Sequence, residues 1–130
     1  MKILFFDTHS FDRQSFLKLN TSHQIDFLET HLNFETAKLT TGYNGVCVFV
    51  NDHLDRKALQ VLADNKVQLV ALRCAGFNNV DLEAAKQFNI KVVRVPSYSP
   101  HAVAEHALAL LLTLNRKTHR AYNRVKELNF

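Results

Sequence analysis

Five short apolar runs, each followed by an amphipathic stretch, constrain this chain more tightly than any other feature of its sequence. KILFFD at residues 2–7, HQIDFLE at 23–29, GVCVFV at 45–50, VQLVALR at 67–73 and KVVRV at 91–95 all have strand length. The third is nearly all apolar, as a parallel strand covered on both faces should be. Residues 10–19 read as a helix with Ser10 as its cap, and 35–39 as a weak short helix. Residues 54–65 read as a helix with Leu54, Ala58, Leu59 and Leu62 on one face, and 82–88 as a short helix opened by Asp81. Strands alternating with helices pair in parallel through right-handed crossovers. An α/β fold with a doubly wound parallel sheet of about five strands is therefore predicted.

The segment after the fifth strand breaks this rhythm. Pro96 and Pro100 bracket a loop, VPSYSP, where a missing backbone N–H ends the ladder. One long helix is then predicted from about His101 to Val125 or beyond. Ala102, Val103, Ala104, Ala107, Leu108, Ala109, Leu110, Leu111, Leu112 and Leu114 leave it almost no polar face. A helix apolar all round is buried on several sides, whereas one small sheet covers only one. Residues 102–114 therefore need another domain, another subunit, or both.

Composition narrows the function. Only three of the 130 residues are glycine, against the roughly nine that average usage gives. Gly42, Gly45 and Gly76 form neither G-x-G-x-x-G nor G-x-x-x-x-G-K, so no backbone loop closes around a pyrophosphate in the usual way. Phosphate-loop NTPases and self-contained dinucleotide binders are disfavoured. The net charge of +4 is concentrated in residues 100–130, which hold five basic and two acidic side chains. That is a solvated helix end rather than the broad basic field of a nucleic-acid binder, so no nucleic-acid partner is expected. The apolar run at the start stops at Asp7, too short for a signal peptide, and no run is long enough to span a membrane. Cys47 and Cys74 lie in predicted strands without C-x-x-C spacing, as reduced core thiols of a cytoplasmic protein would.

In an open parallel sheet, ligands bind beyond the carboxyl ends of the strands. The loops there hold residues 7–10, 51–53, 74–79 and 97–101. RCAGFNNVD is the most informative. Gly76 admits backbone angles closed to other residues and lets a ligand approach the main chain. Successive free N–H groups at Gly76 and Phe77 suit a carboxylate; on spacing alone a plain β–α turn with Asp81 capping the next helix is the favoured reading. Tyr98, between Ser97 and Ser99, offers a phenol to a small polar ligand. His101, Glu105 and His106 have H-x-x-x-E-H spacing, with no third ligand, so no metal is expected. Asp7 and Asp52 follow the first and third strands like a phospho-acceptor pair. Thr8-His9 and Pro96-Ser97 stand where the remaining acid and the lysine of such a site belong.

Joined together, R-C-A-G-F-N-N-V-D, V-P-x-Y-x-P-x-A-V-A-E-H-A and L-N-R-x-x-H-R-A-Y form a specific pattern. Over essentially its whole length the chain resembles the NAD-dependent D-2-hydroxyacid dehydrogenases, within them the bacterial fermentative D-lactate dehydrogenases. The resemblance implies a flavodoxin-like substrate-binding domain over residues 1–99, followed at 100–130 by an interdomain helix that begins an NAD-binding domain. It implies reversible reduction of pyruvate to D-lactate with NADH. Main-chain groups of Ala75, Gly76 and Phe77 would help hold the substrate carboxylate, Tyr98 would face the substrate, and Val103 would lie near the nicotinamide. The family's catalytic arginine, glutamate and histidine, and its G-x-G-x-x-G turn, fall beyond residue 130. His101, His106 and Arg73 do not take those roles. By resemblance, then, the chain is the N-terminal part of a dimeric dehydrogenase, inactive alone, with no catalytic residue of its own. The other reading is a stand-alone α/β binding or interaction module derived from that lobe.

Overall fold

The computed structural model describes residues 1–19 and 22–129. The chain divides into two compact units, Met1–Pro96 and Ser97–Phe130. The first holds β1 (Lys2–Phe5), α1 (Ser10–Leu19), β2 (Gln24–Phe27), a 3₁₀ turn (Ala37–Thr40), β3 (Gly45–Val48), α2 (Arg56–Asp64), β4 (Leu69–Leu72), α3 (Leu82–Gln87) and β5 (Lys91–Arg94). All five strands are parallel, in the order β2-β1-β3-β4-β5. The chain thus winds one way from β1 to β2 and the other way from β3 to β5. This doubly wound order, flavodoxin-like, places the switch point between β1 and β3.

Register decides which side chains share a face. Leu4, Val46, Val70 and Val92 stand in one row, and Phe5, Cys47, Ala71 and Val93 in the next. The first row faces the main core. There Leu54, Ala58, Leu59 and Leu62 are wholly buried, as the apolar spacing of that segment predicts, together with Leu32, Ala37 and Ala84. Each buried Leu or Val side chain contributes about 1.5–3 kcal/mol. α1 covers the second row near β1 and β2, with the Phe16 ring edge-on to Phe5 at 4.6 Å. Toward β5 that face opens, and Val93 is half exposed. β3 starts with glycine because β4 is close: a Cβ on Gly45 would lie 3.3 Å from the Leu69 Cβ and carbonyl oxygen.

Local chemistry sets the helix starts. Asp55 accepts from the Ala58 amide and Asp81 from the Ala84 amide, each at 2.9 Å, satisfying first-turn donors. α2 therefore begins after its cap, and Leu54 instead bridges to Val80 in parallel. Ser10 is the first helical residue of α1 and not its cap, contrary to expectation. His9 precedes the helix, and the Asp12 carboxylate reaches back to accept the His9 amide at 2.9 Å. The weak helix expected at 35–39 is the 3₁₀ turn Ala37–Thr40.

The second unit corrects a larger expectation. In place of one helix there are two, α4 (Pro100–Arg116) and α5 (Thr118–Lys126). Between them Lys117 takes left-handed angles, φ 53° and ψ 36°, which end α4. α4 starts at Pro100, whose missing N–H costs nothing in a first turn, and Ser99 Oγ accepts the Ala102 amide at 3.2 Å. No residue of α4 is buried: Leu111 is 61% exposed and Leu114 70%. The apolar surface expected to be buried on several sides is thus open to solvent in this chain.

Candidate functional site

Backbone hydrogen bonds knit the carboxyl ends of the strands into one edge. The Asp7 amide donates to Thr30 O at 2.9 Å, the His53 amide to Leu32 O at 2.7 Å, and the Arg73 amide to Val48 O at 2.9 Å. Asp52 anchors the loop after β3. It is 1% exposed and accepts the Leu32 amide at 2.6 Å and the Phe49 amide at 2.5 Å. Burial pushes its carboxyl above the usual range, and those two amides pull the other way. Asp7 lies 3.4 Å from His31 Nδ1. Asp52 is therefore committed to backbone donors, which closes the comparison with a phospho-acceptor pocket.

Arg73 joins β4 to the β1–α1 turn. Its Nη2 donates to Phe6 O and Asp7 O, both at 2.8 Å, and its Nη1 lies 2.7 Å from Asp12 Oδ1. The guanidinium also lies over the Phe49 ring, 5.2 Å from its centroid. With these partners Arg73 is a structural cation, and its charge is met by Asp12.

The loop from Cys74 to Asn79 leaves this framework pinned at both ends. At the far end Asn79 Nδ2 donates to Phe49 O at 2.9 Å and Asp52 O at 3.0 Å. At the near end Arg94 Nη1 donates to Ala75 O at 3.0 Å and Pro96 O at 2.8 Å, with Val95 O at 3.2 Å. The Arg94 guanidinium also covers the Phe77 ring, 5.3 Å from its centroid. Cys74 Sγ contacts Gly76 O at 3.3 Å, and burial raises the Cys74 thiol pKa, keeping it a donor. Between these anchors the Gly76 and Phe77 amides donate to no described residue. Gly76 is exposed and does not adopt the left-handed angles its identity suggests. A Cβ there would meet nothing within 4 Å, so the glycine answers to no contact inside this chain. What lies beside it is open space.

Ala75, Gly76 and Phe77 thus form one turn, presenting two consecutive amide donors to solvent. Tyr98 and Val103 belong to the second unit, where they are 62% and 63% exposed. His101, Glu105 and His106 are exposed on the first turns of α4. Among the described residues no three His, Cys, Asp or Glu side chains gather to hold a metal ion. No helix among them is long and apolar enough to cross a membrane. The glycines make no cradle for a pyrophosphate: Gly42 turns with φ 83°, Gly45 is buried against Leu69, and Gly76 stands alone. Arg94 and Asn79 are the residues sequence reasoning missed, and Asp52, read there only against a phospho-acceptor pair, proves to be a loop anchor. Arg94 alone left a signal, as a charge closing an otherwise apolar strand.

Comparison with known proteins agrees with this fold. The family model for the D-isomer specific 2-hydroxyacid dehydrogenase catalytic domain matches residues 3–129. The 2-hydroxyacid dehydrogenase homolog 1 of Schizosaccharomyces pombe is 54% identical over all of this chain and 40% of its own length. The apo-structure of D-lactate dehydrogenase from Escherichia coli aligns with a TM-score of 0.79 at 46% identity, over 100% of this chain and 42% of that one. The D-lactate dehydrogenase from Aquifex aeolicus, complexed with NAD and lactic acid, aligns with a TM-score of 0.79 at 30% identity, over 98% and 38%. The chain spans about 40% of the length of the curated relatives it matches.

Proposed function

The chain belongs to the D-isomer specific 2-hydroxyacid dehydrogenase family, and on that premise we propose that it is the carboxylate-gripping part of a D-lactate dehydrogenase. Its ligand on this reading is a small 2-oxoacid or 2-hydroxyacid, with pyruvate and D-lactate the interconverting pair. The observation that carries the reading is the pair of free amides at Gly76 and Phe77, on a turn fixed at both ends beside open space. Two consecutive N–H donors can satisfy one carboxylate, and hydrogen bonds to a charged acceptor are the stronger kind. Arg94 adds a positive charge that no described carboxylate pairs with. In this scheme Tyr98 gives its phenol to the substrate and Val103 forms a wall for the nicotinamide.

NADH, when bound, supplies a hydride to the carbonyl carbon, while a proton completes the hydroxyl. The residues described here do not fit the nucleotide's pyrophosphate, so its grip lies outside the Ala75–Phe77 turn. The apolar side chains of residues 102–114 pack against an NAD-binding domain or a second subunit of a dimer. Two free, buried thiols suit a reducing compartment such as the cytoplasm.

Hydride transfer also needs a cation on the carboxylate and an acid for the developing alkoxide. Arg73 is spent on Asp12, Arg94 Nη1 is held by the Ala75, Val95 and Pro96 carbonyls, and His31 faces Asp7. The purified 130-residue chain should therefore bind pyruvate without oxidising NADH. Titrating pyruvate into the ¹⁵N-labelled chain should shift the Gly76 and Phe77 amides first. Shifts elsewhere with those two unmoved would refute the site, and pyruvate-dependent loss of NADH absorbance would refute the inactivity.

A further inference from the structure

The amides of Gly76 and Phe77 have a direction as well as a position, and the structure shows what sets it. In a trans peptide the N–H points opposite to the C=O of the same plane, and no described peptide bond is cis. The Gly76 N–H shares its plane with the Ala75 carbonyl, which Arg94 Nη1 holds at 3.0 Å. The Phe77 N–H shares its plane with the Gly76 carbonyl, which Cys74 Sγ holds at 3.3 Å. Both consecutive planes are thus fixed from their oxygen side, and their donors face the other way. The Arg94 contact is the stronger of the two, since a guanidinium donates charge-assisted bonds and a thiol is a weak donor.

Arg94 does more than hold one oxygen. The same Nη1 reaches Pro96 O at 2.8 Å, so one guanidinium ties the turn after β4 to the segment leaving β5. Its plane also covers the Phe77 ring at 5.3 Å, restraining the side chain of the second donor residue. Nη1 donates to both carbonyls while the guanidinium plane lies on the ring; an ammonium offers donors but no plane to stack there.

We propose that Arg94 is a positioning residue, which sets the Ala75–Gly76 peptide plane so that the Gly76 N–H faces the ligand's carboxylate without itself touching the ligand. This deepens the carboxylate-binding reading and rests on it.

Charge alone would also draw a carboxylate toward this turn, and two variants separate the effects. Arg94→Met removes both the charge and the planar guanidinium, while Arg94→Lys keeps the charge and loses the plane and its reach. Both are exposed-site changes made in the ¹⁵N-labelled chain, with pyruvate as the probe and the rest of the amide spectrum as the check on folding. Positioning requires the pyruvate Kd, read at Gly76 and Phe77, to rise about fivefold or more in both variants. An Arg94→Lys chain that binds like wild type would overturn the proposal in favour of simple attraction, and an Arg94→Met chain that does so would overturn it altogether. Wild type showing no pyruvate response at these amides would sink the carboxylate reading itself. Arg94's hold on the turn is then judged without ligand. It stands if the Gly76 and Phe77 resonances move in Arg94→Met and those of α2 do not, and it falls if they stay in place.

Discussion

Replacing Arg73 with methionine removes the tie between the end of β4 and the β1–α1 turn while keeping most of the stem over Phe49. Three acceptors lose their donor: Asp12 Oδ1 at 2.7 Å, and the Phe6 and Asp7 carbonyls at 2.8 Å each. The Arg73 and Asp12 side chains are only 11% and 13% exposed, so the change strands a largely buried carboxylate. Breaking a buried pair from one side costs about 3–5 kcal/mol. Asp12 retains the His9 amide at 2.9 Å, which puts the expected loss near the low end, about 3 kcal/mol. Arg73 also carries a buried Nε without a partner, a cost already present in the native fold. Removing both charges in Arg73→Met/Asp12→Asn should accordingly recover roughly half of the loss. Urea unfolding followed by circular dichroism at neutral pH measures all three chains. An Arg73→Met chain within about 1 kcal/mol of wild type, the range of an exposed pair, would refute the reasoning. A double variant no better than the single one would place the cost in the two orphaned carbonyls instead.

Two other perturbations test other parts of the molecule. Burial pushes the Cys47 thiol up to about 12 from an ordinary 9.0, with Arg73 pulling the other way. The folded chain thus keeps the proton that the unfolded chain releases. This contribution to stability is whole below pH 9.0 and is lost as the pH rises toward 12, by up to roughly 4 kcal/mol. Cys47→Ala should flatten the alkaline limb of a stability–pH curve, and an unchanged slope would count against it. On α4, Leu111 and Leu114 are 61% and 70% exposed, and apolar surface of that kind favours association. Leu111→Glu with Leu114→Glu should lower the sedimentation coefficient of the purified chain at high concentration. A wild-type chain already monomeric there would deny a homodimer through this helix.

The parts of the fold legible in the sequence are those whose cause is local. KILFFD and GVCVFV read as strands because backbone and side-chain preferences within a few residues agree, and the buried face of α2 follows from its spacing alone. The loop after β4 was legible in the same way, whereas the choice of Ala75, Gly76 and Phe77 within it came from the family resemblance, and Gly76 does not use the left-handed angles its identity suggests. The break at Lys117 was not legible: neither glycine nor proline marks it, and a lysine in left-handed angles leaves no compositional trace. The same holds for Ser10, which stands inside the helix while the Asp12 carboxylate accepts the His9 amide ahead of it.

Visible in the chain itself are the alternation of strands and helices as far as β5, the helix cap Asp81, and the loop after β4 that holds the candidate binding turn. These depend on propensities and periods within a single element. How that turn is aimed depends on contacts between elements far apart in the chain. Arg94 meets Ala75 from 19 positions away, Asn79 meets Phe49 from 30, and Arg73 meets Phe6 from 67. Parallel pairing puts the ends of distant strands side by side, so the partners of each polar group there are set by register between strands. No stretch of sequence short enough to read by eye contains both members of such a pair.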